Sequence, residues 1–217
     1  MNDRRGHRIL IVVRRTILPI AVAVALLAAA GTEAQDFSAR ERRILDSQEH
    51  VRHPRTQRRD GRTYIGGTAF RVIPRPRDEV WRAIEDSSSM CRMLPQCTRQ
   101  RIVRRNENDL VMRFTHEYGP ITASYHVRVE LDRDDHDVSF RLDPSRPNDV
   151  RAAWGFLEVA PYRGEASRTL VTWGVMADPG SQVMTSVLGG SMQSSLLRVP
   201  DEMYDFLVGP ARNRYRR

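Results

Sequence analysis

The 217-residue sequence predicts an α+β domain in which an antiparallel sheet meets one long C-terminal helix. Two observations carry this reading. From Thr98 to Met176 apolar and polar residues alternate with period two, the mark of strands with one buried face. From Ser181 to Leu207 the spacing changes to three and four, and Val183, Met184, Val187, Leu188, Met192, Leu196 and Leu197 fall on one helical stripe.

The chain opens with Arg4, Arg5, Arg8, Arg14 and Arg15, then an uncharged, Ala-rich run from Thr16 to Ala30, then Thr32-Glu33-Ala34, whose small residues at alternate positions suit a signal peptidase. Residues 1–34 therefore read as a signal peptide, and the mature chain as periplasmic or secreted. A membrane anchor is the alternative, but its spanning helix needs about 20 apolar residues. Arg14-Arg15-Thr16-Ile17-Leu18 also fits a twin-arginine leader, a pattern shared with ordinary leaders, so the export route stays open.

Residues 35–59 form an N-terminal extension: a polar stretch with Phe37, Ile44 and Leu45 that permits a short strap helix, then a first strand, His50–Arg58. Asp60-Gly61 is a type I′ hairpin signal, and Thr63–Ile73 pairs back as the second strand. Gly66-Gly67 inside it predicts a bulge or a bend. Pro74 and Pro76 end that strand. Asp78–Ile84 follows as a helix with acids in its first turn and Val80, Trp81 and Ile84 on one face. A second short helix, Ser88–Leu94, stops at Pro95.

In the meander, Leu110, Met112, Phe114 and His116 share one side of a strand. Ile121, Ala123, Tyr125, Val127, Val129 and Leu131 share one side of the next, and Val138, Phe140 and Leu142 continue it. Ala152–Val159 is apolar at both parities, so either Trp154 and Phe156 or Leu157 and Val159 face the core. In the last helix Gly189-Gly190 allows close approach, and Pro200 predicts a kink or a second segment. The domain spans 60–208, and 209–217 is a basic tail.

Composition narrows function. The 35 basic residues are all arginine, so chemistries that need a lysine amine, including Schiff bases and the phosphate-loop lysine, are excluded. The net charge of +8 is concentrated in the leader, the extension and the tail, whereas residues 63–208 hold 18 arginines against 20 acids. A nucleic-acid binder carries its basic excess on the folded binding face, so no nucleic-acid partner is expected. The basic ends are placed to touch anionic lipid, or are simply solvated. Cys91 and Cys97 flank Pro95 and either pair in an oxidising compartment or remain as buried thiols. No metal or cofactor is implied. His50 and His53 have an odd spacing that puts them on opposite strand faces. Asp132, Asp134, Asp135 and Asp137 lack both the glycine and the glutamate of a calcium loop. No serine sits in a hydrolase nucleophile motif.

Val72-Ile73-Pro74-Arg75-Pro76-Arg77-Asp78-Glu79-Val80-Trp81-Arg82-Ala83-Ile84-Glu85-Asp86, followed by Met93-Leu94-Pro95, resembles the opening of the START and polyketide-cyclase-like superfamily. Leu142–Asp149 and Arg168-Thr169-Leu170-Val171 are similar to an exported bacterial branch of it. The resemblance implies a helix-grip fold, a curved antiparallel sheet of about six to seven strands wrapped around the C-terminal helix, with a cavity between them for a hydrophobic small molecule or lipid. The expected cavity wall is Met112, Phe114, His116, Tyr125, Phe140, Trp154, Phe156 and Trp173 from the sheet and Met184, Leu188 and Met192 from the helix. The expected function is a carrier of a lipid, quinone or polyketide-like molecule. The alternative is a cyclase or dehydratase using His116 as general base, with Glu158 as a second candidate catalytic group.

Overall fold

The computed structural model describes residues 36–107, 109–119, 121–180 and 190–216. Among these, one open antiparallel sheet contains eight strands: β1 (Val51–Arg59), β2 (Arg62–Ile73), β3 (Cys97–Arg105), β4 (Asp109–Tyr118), β5 (Ile121–Asp132), β6 (Asp137–Leu142), β7 (Ala152–Pro161) and β8 (Thr169–Asp178). Their spatial order is β1-β2-β8-β7-β6-β5-β4-β3, so the N-terminal hairpin closes on the last strand of the meander. With its C-terminal helix laid on one face, this is the helix-grip fold.

The sheet has more strands than the six to seven expected. The additional one is β3, which runs along an edge, largely exposed and arginine-rich, with two register shifts. The alternating stretch is expected to begin at Thr98, but β3 buries little on either face, so spacing does not single it out as a separate strand. β1, assigned above to the extension, pairs with β2 along its whole length and is part of the sheet. Asp60 and Gly61 both have positive φ (51° and 71°), the geometry of the type I′ turn. At Gly66-Gly67 the register is continuous, so no bulge forms. Gly67 has φ 138°, and a Cβ there would lie 2.1 Å from the His53 carbonyl oxygen, so close strand approach demands the glycine.

The pleat sorts side chains onto two faces. On the inner face stand Met112, Phe114, Val127, Val129, Leu131, Val138, Leu157, Val159 and Trp173, which join the hydrophobic core. On the outer face the short helix α1 (Ala39–Asp46) straps the sheet. Its Ser38/Glu41 capping box is complete, Leu45 is buried, and His53 of β1 bonds Glu41 at 2.7 Å. Helix α2 (Arg77–Glu85) follows Pro76 and buries Val80, Trp81, Ala83 and Ile84 against the inner face. The expected helix at Ser88–Leu94 is a single 3-10 turn, Met90–Met93.

The long helix expected from Ser181 to Leu207 is described from residue 190 onward; its earlier part, with Met184 and Leu188, lies outside the described residues. Residues 190–196 are helical, the chain turns at 197–198, and α3 (Val199–Val208) restarts with Pro200 in its first turn, where a missing N–H costs nothing. Three arginines fix α3, two at its start and one at its end. Asp201, in its first turn, receives the guanidinium groups of Arg52 and Arg71 and lies 3.2 Å from His50 Nδ1. Arg71 also lies over the Tyr204 ring at 3.9 Å. At the other end buried Arg75 donates to the Leu207 carbonyl, one of the carbonyls that a helix end leaves unpaired.

The basic tail folds back onto α2. Arg82 donates to the Tyr215 carbonyl, the Tyr215 hydroxyl donates to Asp86 at 2.7 Å, and Arg214 pairs with the same carboxylate. Burial acts to raise the Asp86 pKa, but hydrogen bonds from Ser88, Tyr215 and Ser89 and the Arg214 charge bring it down to about 2.

Asp201→Ala leaves two partly buried guanidinium groups without their carboxylate and is expected to cost about 2–4 kcal/mol of stability. Urea unfolding at neutral pH measures it, and an unchanged midpoint would show the clamp to be dispensable.

Candidate functional site

Between the inner face of β4–β8 and the layer formed by α2, the Met90–Met93 turn, residues 190–196 and α3 lies a cavity of about 210 Å³. Six of the expected wall residues line it: Phe114, His116, Tyr125, Phe140, Trp173 and Met192. Their placement follows from register. Phe114 faces Tyr125 across β4–β5, His116 faces Ala123, and Phe140 faces Gly155 across β6–β7. A Cβ at Gly155 would lie 2.4 Å from the Phe140 ring, so the missing side chain lets that ring lie down on the sheet. It stacks on Trp173 with ring centroids 4.9 Å apart and planes 13° from parallel. Trp173 in turn donates Nε1–H to the Leu196 carbonyl at 2.8 Å and holds the helical segment over the cavity.

Three expected wall residues stand elsewhere. Met112 is fully buried in the core and does not reach the cavity. Trp154 and Phe156 lie on the outer face, because Leu157 and Val159 take the inner one. Trp154 packs edge-on against Tyr64 at 5.1 Å, and the Phe156 ring covers Gly174, where a Cβ would approach it to 2.2 Å. Met184 and Leu188 lie outside the described residues.

The same parity separates the two candidate catalytic groups. Glu158 is on the outer face between Asp137 and Thr172 and cannot pair with His116. Burial, reinforced by the Asp137 charge, pushes its carboxyl up to about 7. His116 is held at both nitrogens. Its Nδ1 lies 2.8 Å from the Pro95 carbonyl and its Nε2 2.9 Å from the Tyr125 hydroxyl, with the two rings stacked at 5.4 Å. Burial lowers the His116 pKa, partly opposed by the Pro95 hydrogen bond, so the neutral ring is favoured. Burial, with the nearby Tyr118, raises that of Tyr125 and keeps the phenol protonated.

The sequence reading missed the lip of the cavity. Met90, Met93, Leu94 and Pro95 all line it, and a Cys91–Cys97 disulfide closes the loop that holds the last three. Gln100 braces the same loop, accepting from the Cys91 N–H and donating to the Ser87 carbonyl. Tyr118 and Ser195 add polar atoms to the wall. Tyr118 was readable, since it continues the parity of Phe114 and His116, whereas a 3-10 turn carries no periodic signal. Leu142–Asp149, which bears part of the resemblance, is a locked loop away from the cavity: hydrogen bonds from Arg128 and Ser145 hold the Asp143 carboxyl well below the usual range. The Asp132–Asp137 turn is capped by its own chain, Asp132 accepting from the N–H groups of Asp134 and Asp135.

A family model described as polyketide cyclase/dehydrase and lipid transport matches residues 73–203. No curated protein sequence matches the chain. Among solved structures, a protein of Thermus thermophilus is 17% identical with a TM-score of 0.57, the match covering 66% of this chain and 97% of that one. The STAR-related lipid transfer protein of Xanthomonas axonopodis is 11% identical with a TM-score of 0.54, covering 75% and 99%. The Zhui aromatase/cyclase of Streptomyces is 14% identical with a TM-score of 0.51, covering 75% and 97%. These identities support the shared fold and nothing finer.

Because Glu158 is more readily protonated in the folded chain than at its ordinary value of 4.5, its contribution is fully present below about pH 4.5 and is lost as pH rises through about 7. Discounted for its solvent exposure and its coupling to Asp137, the loss is about 1–2 kcal/mol. Glu158→Gln is expected to remove that decline, seen as a flatter plot of urea midpoint between pH 4.5 and 8; parallel profiles would contradict it.

Proposed function

The chain belongs to the polyketide cyclase/dehydrase and lipid transport family, and from that premise we propose that it is an exported carrier that holds a compact hydrophobic molecule between its sheet and its C-terminal helices. One observation carries the reading: a cavity of about 210 Å³ walled by aromatic, Met, Leu and Val side chains with few polar atoms. Apolar cavities stay dry and take apolar guests, and this one is below the roughly 300–1,000 Å³ of most ligand pockets, which favours a small guest over a long diacyl lipid.

Binding is favoured over turnover. A general base needs a free lone pair aimed at the reacting proton. The Nδ1 of His116 faces a carbonyl and its Nε2 a phenol, while Glu158 faces the opposite side of the sheet. Export is supported by the arginine-then-apolar leader within residues 1–34 and by the Cys91–Cys97 disulfide, a bond that persists in oxidising compartments.

Organic extraction of the purified protein followed by mass spectrometry is expected to release a hydrophobic small molecule. Ala153→Phe, which puts a ring into the cavity opposite Ala177, is expected to reduce its yield at least about tenfold with the fold retained. Clean extracts together with no uptake of fluorescent fatty acids would overturn the carrier. Expressed in full in a bacterium, the chain is expected in the periplasm without its first 34 or so residues and with no titratable thiol; a cytoplasmic product with two free thiols would overturn export.

A further inference from the structure

We infer that the cavity selects hydrophobic molecules bearing a hydroxyl over matched molecules bearing only a carbonyl, through the phenolic oxygen of Tyr125. This rests on the carrier reading and deepens it.

The reasoning starts at Pro95. Its carbonyl lies in the short loop closed by the Cys91–Cys97 disulfide and lines the cavity lip. A carbonyl only accepts, so the nitrogen 2.8 Å away, His116 Nδ1, carries the hydrogen. In the neutral imidazole the other nitrogen is then bare and must accept. The group 2.9 Å from Nε2 is the Tyr125 hydroxyl, which therefore donates to it. The backbone thus fixes the direction of the whole chain, and the Tyr125 proton is committed. What Tyr125 offers the cavity is an oxygen lone pair.

A guest hydroxyl donates to that lone pair and extends the chain without breaking it. A guest carbonyl needs a donor instead. To supply one, Tyr125 must turn its proton away from Nε2, leaving a buried ring nitrogen unpaired, an outcome that costs more than the ordinary gain of one hydrogen bond. Two further hydroxyls line the cavity, and the Tyr118→Phe variant below separates the contribution of the one on β4. Ser195 points to Gln96 Oε1 at 3.5 Å, and Tyr118 stands at the last position of β4, half-buried.

Three probes of similar size test the idea on the mature protein: 4-hexylphenol, heptanophenone and heptylbenzene, with affinities measured by calorimetry or by displacement of a fluorescent fatty acid. For the natural sequence the phenol is expected to bind roughly tenfold more tightly than the ketone. In His116→Phe the Tyr125 proton is released and becomes available to an acceptor, so the phenol-to-ketone ratio is expected to fall to about one or to invert. In the double variant His116→Phe/Tyr125→Phe the ketone loses that gain, while Tyr118→Phe keeps the original ratio. Heptylbenzene, blind to hydrogen bonding, reports in each variant whether the cavity is intact. Binding of heptylbenzene with equal affinities for phenol and ketone in the natural sequence overturns the selectivity and leaves the carrier standing. A preference erased by Tyr118→Phe and untouched by His116→Phe overturns the role of Tyr125. Failure of all three probes to bind removes the carrier, and the inference with it.

Discussion

The attachment of α3 to the N-terminal hairpin is the constraint on which the rest of the molecule depends. Asp201 draws two guanidinium groups from neighbouring strands to the start of the helix, and Arg75 takes up a carbonyl at its end. Both ends are held at the β2 side of the sheet, where Met203, Phe206 and Leu207 are buried in the core. The cavity begins at the neighbouring strand, between the inner faces of β4–β8 and a layer that includes Val199 and Met203 of α3. The anchored helix is thus itself part of the cavity wall.

Arginine serves this architecture in ways a lysine would not. Arg71 bonds a carboxylate, donates to the Gln48 carbonyl and covers the Tyr204 ring, using fork, edge and face of one planar group. Arg82 spans to the tail carbonyl through two nitrogens. A chain whose basic residues are all arginine gains many such multidentate links, so part of its high charge is structural cement and not an address for a partner.

Strands that bury one face were legible in the sequence, and those that bury two or nearly none were not. β5 and β6 alternate, and β4 does so from Met112 onward, so spacing put Phe114 with His116 on one side of β4 and Tyr125 and Phe140 on one side of their strands, while the cavity on that side was an implication of the resemblance. β7 is apolar at both parities because Trp154 and Phe156 pack on the outer face while Leu157 and Val159 fill the core, and spacing cannot rank two apolar sides. The key to its orientation was Gly155, the place where Phe140 must lie flat, and that requirement exists only once the strands are paired. Likewise His116 was visible as a titratable residue on the correct face, but its commitments to Pro95 and Tyr125 arise from a turn and a neighbouring strand. Those partners convert an apparent base into a fixed link.

Gly155 has a further implication for the shape of the cavity. The Phe140 ring resting on it forms part of the cavity surface, while the glycine itself does not line the cavity. A methyl at this site would meet the Gly174 carbonyl oxygen at 2.1 Å as well as the Phe140 ring at 2.4 Å, so it would press on the neighbouring strand and push the aromatic plane into the chamber. The depth of the chamber is therefore tied to a residue with no side chain, through the ring that rests on it.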